Sequence, residues 1–254
     1  MNDRTRLLFV IENSSYGGGE RTFSQLINGL PSGKFEIFCA SAPAGRFYEE
    51  VKDSCLFLPL DLSCRFNLLN IGRLKALMLE HKIDIAHSQG ARADFFCGLA
   101  SARAGVKSVA TVAMPVEGFD VCPVRKAIYG KLYSLAAGRF SAALTVSEQL
   151  RHVLAGRFGS VEVIPNGVDL AEFSPSNFNA APVIEKYGLR GKLVLGAVGR
   201  LEWQKGFPHL LSALALAFKD EPRLAERTVC LIAGEGTMAG KIKKQAGSLG
   251  VEKN

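Results

Sequence analysis

Residues 6–30, RLLFVIENSSYGGGERTFSQLINGL, decide the fold class because they contain a strand, a loop and a helix in immediate succession. Arg6 to Ile11 contains a short apolar run, typical of a strand that is covered on both faces of a parallel sheet. A polar, glycine-rich loop follows, and 20–30 then has apolar residues at the spacing of one helix face: Phe23, Leu26, Ile27 and Leu30. The segment predicts the first strand–helix unit of an α/β sheet.

The alternation of strands and helices continues to residue 165. Further apolar strands are predicted at 35–40, 56–60, 83–87, 108–112, 142–146 and 161–164. Helices are predicted at 68–81, 93–104, 124–137 and 148–157. Because these apolar strands are separated by helices, they predict one doubly wound parallel sheet. In such a sheet, ligands bind at the carboxyl ends of the strands.

A second unit is predicted after a break in this pattern. Pro165-Asn166-Gly167 is typical of a turn, and 166–190 has two further prolines and little periodicity, which predicts a linker. The next strands are predicted at 193–198 and 229–233, and the next helices at 207–218 and 238–249. Two parallel strands leave their edges uncovered. We therefore expect either that this unit packs onto the first domain or that the chain is shorter than the architecture it encodes.

Composition excludes several classes of protein. The chain has 254 residues, 48% hydrophobic and 22% charged, which is globular usage and excludes a disordered, collagen-like or disulfide-scaffold protein. The net charge of +7 is spread along the chain and suits anionic small molecules or an acidic membrane surface at least as well as nucleic acid. The six cysteines have no CxxC or zinc spacing, and no apolar run approaches the ~20 residues of a membrane span. These features predict reduced thiols and a cytoplasmic protein, soluble or peripheral.

Gly17-Gly18-Gly19 lies between the first strand and the first helix, where a phosphate could approach the backbone closely. The spacing differs from the GxGxxG dinucleotide fingerprint, and no acidic residue closes the second strand, which argues against a nucleotide-dependent oxidoreductase. A flexible turn is the alternative interpretation.

Two further loops follow strands of the second unit. Arg200 and Lys205, in Gly199-Arg200 and Lys205-Gly206, could clamp a diphosphate, the arginine by its planar fork and the lysine as a point charge. Gly234 and Gly236 form a second glycine-rich loop at the same end of the sheet, and they are predicted to bind the same diphosphate. The alternatives are a solvated basic loop and a plain turn.

Candidates for catalysis are few. A loop, His87-Ser88-Gln89, is predicted at the end of the fourth strand, and His87 is either a catalytic group or a buried core residue. Glu117 and Asp120 follow the fifth strand, where a general base could lie. The segment Pro123–Arg139 has four basic and no acidic residues with apolar positions at helical spacing. It predicts a basic amphipathic helix, which either lies on an anionic membrane or packs on the sheet.

Together these motifs resemble those of a family 4 glycosyltransferase with the GT-B architecture, which has two facing Rossmann-like domains. Four stretches carry the resemblance: GGGERTFSQLINGL, then VSEQLRHVL with VEVIPNGVDLAEFSP, then VGRLEWQKGFPHLLSAL, and LIAGEGTMAGKIKKQAGSLGV. It implies an acceptor-side domain at 1–165, a linker at 166–190 and an incomplete nucleotide-sugar-binding domain at 191–254.

The resemblance also implies a reaction. A sugar would pass from a nucleotide-diphosphate donor to a glycan or lipid-linked acceptor with retention of configuration, with no cofactor or metal and no nucleic acid. Arg200 and Lys205 would neutralise the donor diphosphate, and the amides of Gly17, Gly18 and Gly19 would reach the same phosphates. The basic helix at 123–139 would suit a lipid acceptor at the inner face of the cytoplasmic membrane.

Three departures from the family pattern are visible. Ala113 and Met114 follow Thr111-Val112 where the family often has a sugar-contacting His, and His87-Ser88-Gln89 replaces a common His-x-His. The family's paired-glutamate donor segment would lie beyond residue 254. We therefore expect a chain that is weak or inactive by itself, and the alternative is a non-catalytic glycan- or lipid-binding module or one half of a split enzyme.

Overall fold

The computed structural model describes residues 4–13, 16–64, 67–114, 130–131 and 133–254. The chain forms two compact units, Met1–Gly167 and Val168–Asn254. In the described residues, no helix is both long enough and apolar enough to cross a bilayer.

The first unit is built on a parallel sheet of seven strands, which confirms the predicted doubly wound architecture. The strands lie in the order β3-β2-β1-β4-β5-β6-β7. Their bounds are β1 Thr5–Ile11, β2 Phe35–Ser41, β3 Leu56–Pro59, β4 Ile85–Gln89, β5 Lys107–Val112, β6 Ala142–Thr145 and β7 Val161–Val163. The strand order reverses between β1 and β4, so the carboxyl ends of these two strands flank the crevice in which such sheets bind ligands.

Helices connect these strands. They are α1 Gly18–Gly29, α2 Gly45–Val51, α3 Leu69–Glu80, α4 Ala91–Ala104 and α5 Glu148–Leu154. Residues 130–131 and 133–137 are also helical, and the rest of the helix predicted at 124–137 lies outside the described residues. The sequence did not predict α2, because seven residues are too few to show a helical period.

Both faces of the sheet are buried, as the apolar strands predicted. Leu8 and Val10 of β1 belong to the larger core cluster, on one face. Phe9 and Ile11 of the same strand belong to the smaller cluster, which includes Phe23 of α1, on the other face. Alternate residues of one strand therefore enter two different cores, which is the property of a sheet covered on both sides.

The prediction that His87-Ser88-Gln89 forms a loop is wrong, because β4 continues to Gln89. Ser88 is in register with Val10 of β1 and with Ala110 of β5, and Gln89 with Ile11 and Thr111. Backbone pairing on both sides holds these polar residues in the strand. Side-chain polarity therefore did not mark the end of this strand.

The second unit has one small sheet. It consists of β8 Leu193–Val198 and β9 Thr228–Ala233, which pair in parallel. The helices are α6 Ala181–Lys186, α7 Phe207–Asp220, α8 Pro222–Arg227 and α9 Ala239–Ser248. Phe207, Leu211 and Ile242 of its helices form its core together with Leu201 and Val251. The segment predicted as a linker contains α6 and a 3-10 turn at Pro175–Asn177, both too short for a visible period.

Candidate functional site

A pocket lies in the first unit at the carboxyl ends of β1, β4 and β5. Its volume is about 220 Å³, below the ~300–1,000 Å³ of typical ligand pockets, so it fits one chemical group better than a whole nucleotide sugar. The pocket is lined by Ile11, Glu12, Gly19, Glu20, Gln89, Gly90, Ala91, Asp94, Thr111, Val112, Ala113, Met114 and Tyr133. The first residues of α1 and α4 both contribute to it.

Gln89 is the most distinctive lining residue. Its side chain is buried, with 8% of the residue exposed, and in the part of the chain that the structure describes its Oε1 accepts no hydrogen bond. A β-carbon on Gly19 would lie only 3.0 Å from Gln89 Nε2, so the absence of a side chain at position 19 leaves room for this amide. A buried acceptor without a donor costs about 1–3 kcal/mol. A ligand hydroxyl that donates to Oε1 would recover that free energy.

Asp94 lines the pocket and forms a buried pair with Ser88. Ser88 Oγ donates to Asp94 Oδ1 at 2.7 Å. Burial raises the pKa of Asp94 to about 7, although hydrogen bonds from Ser88 and Tyr133 act to lower it. Near neutral pH this carboxyl group therefore changes between an acceptor and a hydrogen-bond donor. Sequence reasoning missed Asp94, because it lies in the apolar pattern of α4 with no motif around it.

Glu12 places a second carboxylate at the pocket, and this one is paired. Arg92 Nη1 lies 2.7 Å from Glu12 Oε1 and donates to the carbonyl of Ser63 at 2.5 Å. Because the ion pair compensates the negative charge of Glu12, this side of the pocket does not repel an anionic group as a free carboxylate would.

The glycine loop meets the pocket through its last residue. Gly17 N–H donates to Glu20 Oε2 at 3.0 Å, so the first of the three amides is already occupied by the helix's own carboxylate. Gly18 and Gly19 are in the first turn of α1, where amide groups have no acceptor within the helix. Gly19 and Glu20 line the pocket. The amides available to an anion are therefore those of Gly18 and Gly19.

His87 lies in the core and does not line the pocket. Its Nε2 is 2.7 Å from Thr111 Oγ1, and its ring contacts the rings of Phe9 and Phe23 at centroid distances of 5.4 and 4.9 Å. Burial lowers the pKa of His87 to about 4, so the ring is neutral at physiological pH. These contacts favour the core interpretation over a catalytic role. The other two catalytic candidates, Glu117 and Asp120, lie outside the described residues.

In the second unit, Arg200 and Lys205 lie on the loop after β8. Lys205 ends a 3-10 turn, and Gly206, with φ 69°, starts α7. A β-carbon on Gly199 would lie 3.8 Å from Lys205 Cδ, so the lysine stem passes over the end of the strand. Both side chains are exposed, and neither makes a hydrogen bond or an ion pair within the described ranges. Two exposed cations therefore follow a parallel strand. Hydrogen bonds from Thr237 and the charge of Arg200 both act to lower the pKa of Glu202. The predicted role of Arg200 and Lys205 as a diphosphate clamp stays a prediction.

Gly234 and Gly236 have a structural role that the sequence did not reveal. Gly199 N–H donates to the carbonyl of Ala233 at 3.0 Å, and Leu201 N–H to that of Glu235 at 2.8 Å. A β-carbon on Gly234 would lie 1.9 Å from Gly199 O, and one on Gly236 2.5 Å from Leu201 O. Both glycines thus permit two loops to pair backbone to backbone. Their predicted role at a phosphate stays a prediction.

The fold and site define an α/β protein with a ligand pocket at the reversal point of a parallel sheet. The chain belongs to glycosyltransferase family 4, whose model matches residues 16–172. It is 27% identical over 241 residues to the Escherichia coli UDP-Gal:alpha-D-GlcNAc-diphosphoundecaprenol alpha-1,3-galactosyltransferase, covering 89% of this chain and 61% of that protein. It is 29% identical to a GDP-mannose-dependent alpha-(1-6)-phosphatidylinositol monomannoside mannosyltransferase of Mycolicibacterium smegmatis, covering 71% of this chain and 46% of that protein.

Solved structures show the same fold. A glycosyltransferase from Rickettsia africae superimposes with a TM-score of 0.73 at 20% identity, covering 99% of this chain and 67% of that one. HepE of Anabaena, solved in complex with UDP and glucose, superimposes with a TM-score of 0.74 at 18% identity, covering 98% and 67%. The chain thus spans 61% and 46% of the length of the two curated relatives and about two thirds of these structures.

Proposed function

We propose that this chain belongs to a retaining glycosyltransferase that moves a sugar from a nucleotide-diphosphate donor to a glycan or lipid-linked acceptor without a metal. The two exposed cations that follow β8, Arg200 and Lys205, carry the proposal. Both curated relatives are named for nucleotide-diphosphate donors and lipid-linked acceptors, which supports it.

The proposed chemistry places charge at the leaving group. The bond between the sugar C1 and the β-phosphate oxygen breaks, the acceptor hydroxyl oxygen bonds to C1, and the hydroxyl proton passes to the departing diphosphate. Arg200 and Lys205 stabilise the negative charge that develops on the diphosphate, and such fixed charges act most strongly where charge is greatest in the transition state. Gln89 receives a hydrogen bond from a hydroxyl of the bound sugar or acceptor.

A test measures nucleotide-sugar binding by titration calorimetry. Arg200→Ala and Lys205→Ala should each weaken binding of UDP- and GDP-sugars by about tenfold, since each removes a charge-assisted hydrogen bond worth about 1.5–3 kcal/mol. Lys219→Ala is the matched control, because Lys219 is an exposed lysine on α7. Equal affinity in all three variants would contradict the proposal. Sugar transfer to lipid-linked acceptors is also assayed with the same proteins.

The pocket of the first unit favours a second candidate, an acceptor-binding module. All its described lining residues, from Ile11 to Tyr133, belong to the first unit. A module of this kind, or one half of a split enzyme, would bind an acceptor glycan with no donor present. Acceptor binding without any nucleotide-sugar affinity would favour it over the transferase.

We also propose that the chain acts at an anionic membrane surface on the cytoplasmic side, through residues 123–139. Lys131 and Arg139 are exposed at the described end of this segment, and Leu135 is half exposed beside them. Sedimentation with vesicles of anionic and of neutral phospholipid tests this. Binding to the anionic vesicles should fall in a Lys131→Glu, Arg139→Glu double variant, and equal sedimentation with both vesicle types would contradict it.

A further inference from the structure

Glu50 of α2 is the centre of a hydrogen-bond cluster that reaches the glycine loop. Tyr16 Oη donates to its carboxylate, 2.9 Å from Oε1 and 2.8 Å from Oε2. Ser24 Oγ of α1 donates to Oε2 at 2.7 Å, and Arg46 Nε donates to Oε1 at 2.9 Å. The three donors come from the residue before Gly17, from α1 and from α2. One carboxylate thus connects the loop with both helices.

Tyr16 is held by its ring as well as by its hydroxyl group. The guanidinium of Arg46 lies 4.3 Å from the centroid of the Tyr16 ring, at cation–π distance. Burial acts to raise the pKa of Glu50, but the hydrogen bonds from Ser24, Tyr16 and Arg46 outweigh it and the pKa is lowered. The carboxylate therefore stays ionised, and hydrogen bonds to a charged acceptor are stronger than neutral ones.

The bond from Tyr16 is not needed to join the helices. Ser24 and Asn28 of α1 already connect to Glu50, Asn28 by a hydrogen bond of 3.1 Å from Nδ2 to the Glu50 carbonyl. What the Tyr16 hydroxyl adds is a fixed position for the loop itself. This difference separates a positioning role from general packing of α1 on α2.

The other end of the loop is attached to the same part of the fold. Asn13 adopts a left-handed conformation, with φ 53°. Its Nδ2 donates to the carbonyls of Ala42 and Ala44 at 3.1 and 2.8 Å, in the turn that leads into α2. Asn13 thus contacts the β2–α2 connection, and Tyr16 contacts α2 itself. Gly19, three residues after Tyr16, packs closely against the amide of Gln89.

We propose that Glu50 is a positioning residue: through Tyr16 it fixes the glycine loop so that the amides of Gly18 and Gly19 meet an anionic group of the nucleotide sugar beside Gln89. The inference rests on the proposed function for the identity of the ligand. Glu50 itself does not line the pocket. Its effect reaches the ligand only through the loop.

The experiment uses the full chain and amide hydrogen exchange of a peptide covering 12–20. Tyr16→Phe and Glu50→Gln each remove a bond to the loop with little change in size, and exchange should accelerate about tenfold, since a hydrogen bond to a charged group is lost. Glu49→Gln is the matched control, because Glu49 is the neighbouring glutamate of α2 and pairs only with Lys52 in the described part of the chain. Exchange at 12–20 equal to that of the control in both variants would overturn the proposal.

A second measurement uses UDP-galactose and GDP-mannose as probes in equilibrium titrations. Tyr16→Phe and Glu50→Gln should bind the preferred probe about tenfold more weakly than Glu49→Gln does. Faster loop exchange with unchanged affinity would also overturn the positioning role. If the unaltered chain binds neither probe, the proposed function fails, and the exchange measurement alone then decides whether Glu50 fixes the loop.

Discussion

Gln89 shows how much one residue can reveal about a site. In the described structure the buried Oε1 of Gln89 accepts no hydrogen bond. Gly19, which has no side chain, leaves room for the Gln89 amide. The sequence could not predict this, because Gln89 follows an apolar strand as an ordinary polar residue and its burial depends on pairing with both β1 and β5. The placement of Arg200 and Lys205 after β8 was predictable, because charge and position along the chain are both visible in the sequence. Their role at a diphosphate stays a prediction.

Replacing Gln89 by methionine should separate stability from binding. The variant removes an unpaired buried acceptor at similar volume, so the free energy of unfolding in urea should rise by about 1 kcal/mol. Ligand binding should weaken about tenfold, because a ligand hydroxyl loses its acceptor. Gln25→Met, on the exposed face of α1, is the control. A less stable Gln89→Met chain would show that the amide is satisfied in the free protein.

Asp94 and His87 predict opposite dependences of stability on pH. The folded-state pKa of His87 is lowered by burial from 6.5 to about 4, so His87 costs stability as pH falls from 6.5 towards 4. The folded-state pKa of Asp94 is raised by burial from 3.8 to about 7, so Asp94 costs stability as pH rises from 3.8 towards 7. Between pH 4 and 6.5 the two slopes oppose each other.

Asp94→Asn tests this balance, because it keeps an acceptor for Ser88 and removes the titration. Its unfolding free energy should increase with pH between 4 and 6.5, with a slope about 1.4 kcal/mol per pH unit more positive than that of the unaltered chain. Asp53→Asn, at an exposed position, should not change the slope. Parallel pH profiles for the Asp94→Asn and unaltered chains would refute the raised pKa.

Among the strands and helices, the sequence predicted those that show an apolar run or a regular hydrophobic period. Seven apolar strands and their order along the chain were visible, and so was the strand–loop–helix unit at 6–30. The short helix α2 and the polar end of β4 were not, because one has too few residues for a period and the other is held by neighbouring strands. The glycine loop is attached to α2, so the sequence did not reveal the contacts that position this loop either.

The contact between the two loops of the second unit predicts a sharp difference between two glycines. Gly234→Ala should lower the free energy of unfolding by about 3 kcal/mol, because its β-carbon would meet the carbonyl oxygen of Gly199 at 1.9 Å. Gly240→Ala, in α9 with open space around it, should instead raise it by about 1 kcal/mol. Thermal unfolding of both variants measures this, and equal stabilities would contradict the close backbone contact.

For the whole molecule, the division into two units has a direct test. The unit Met1–Gly167 has its own sheet and its own two core clusters. Residues 1–167 expressed alone should therefore unfold cooperatively, with coincident near- and far-ultraviolet circular dichroism transitions. A fragment with secondary structure but no near-ultraviolet signal would show that the first unit depends on the second.

The sheet order has a consequence for synthesis on the ribosome. Strand β1 is an inner strand, and its partner β4 is complete only at Gln89, whereas its other partner β2 is complete at Ser41. At a synthesis rate of roughly 5–20 residues per second, one edge of the apolar strand β1 therefore stays unpaired for several seconds. During that interval it is open to pairing with other nascent chains, so the yield of native protein should depend on translation speed and on chaperones that shield emerging strands.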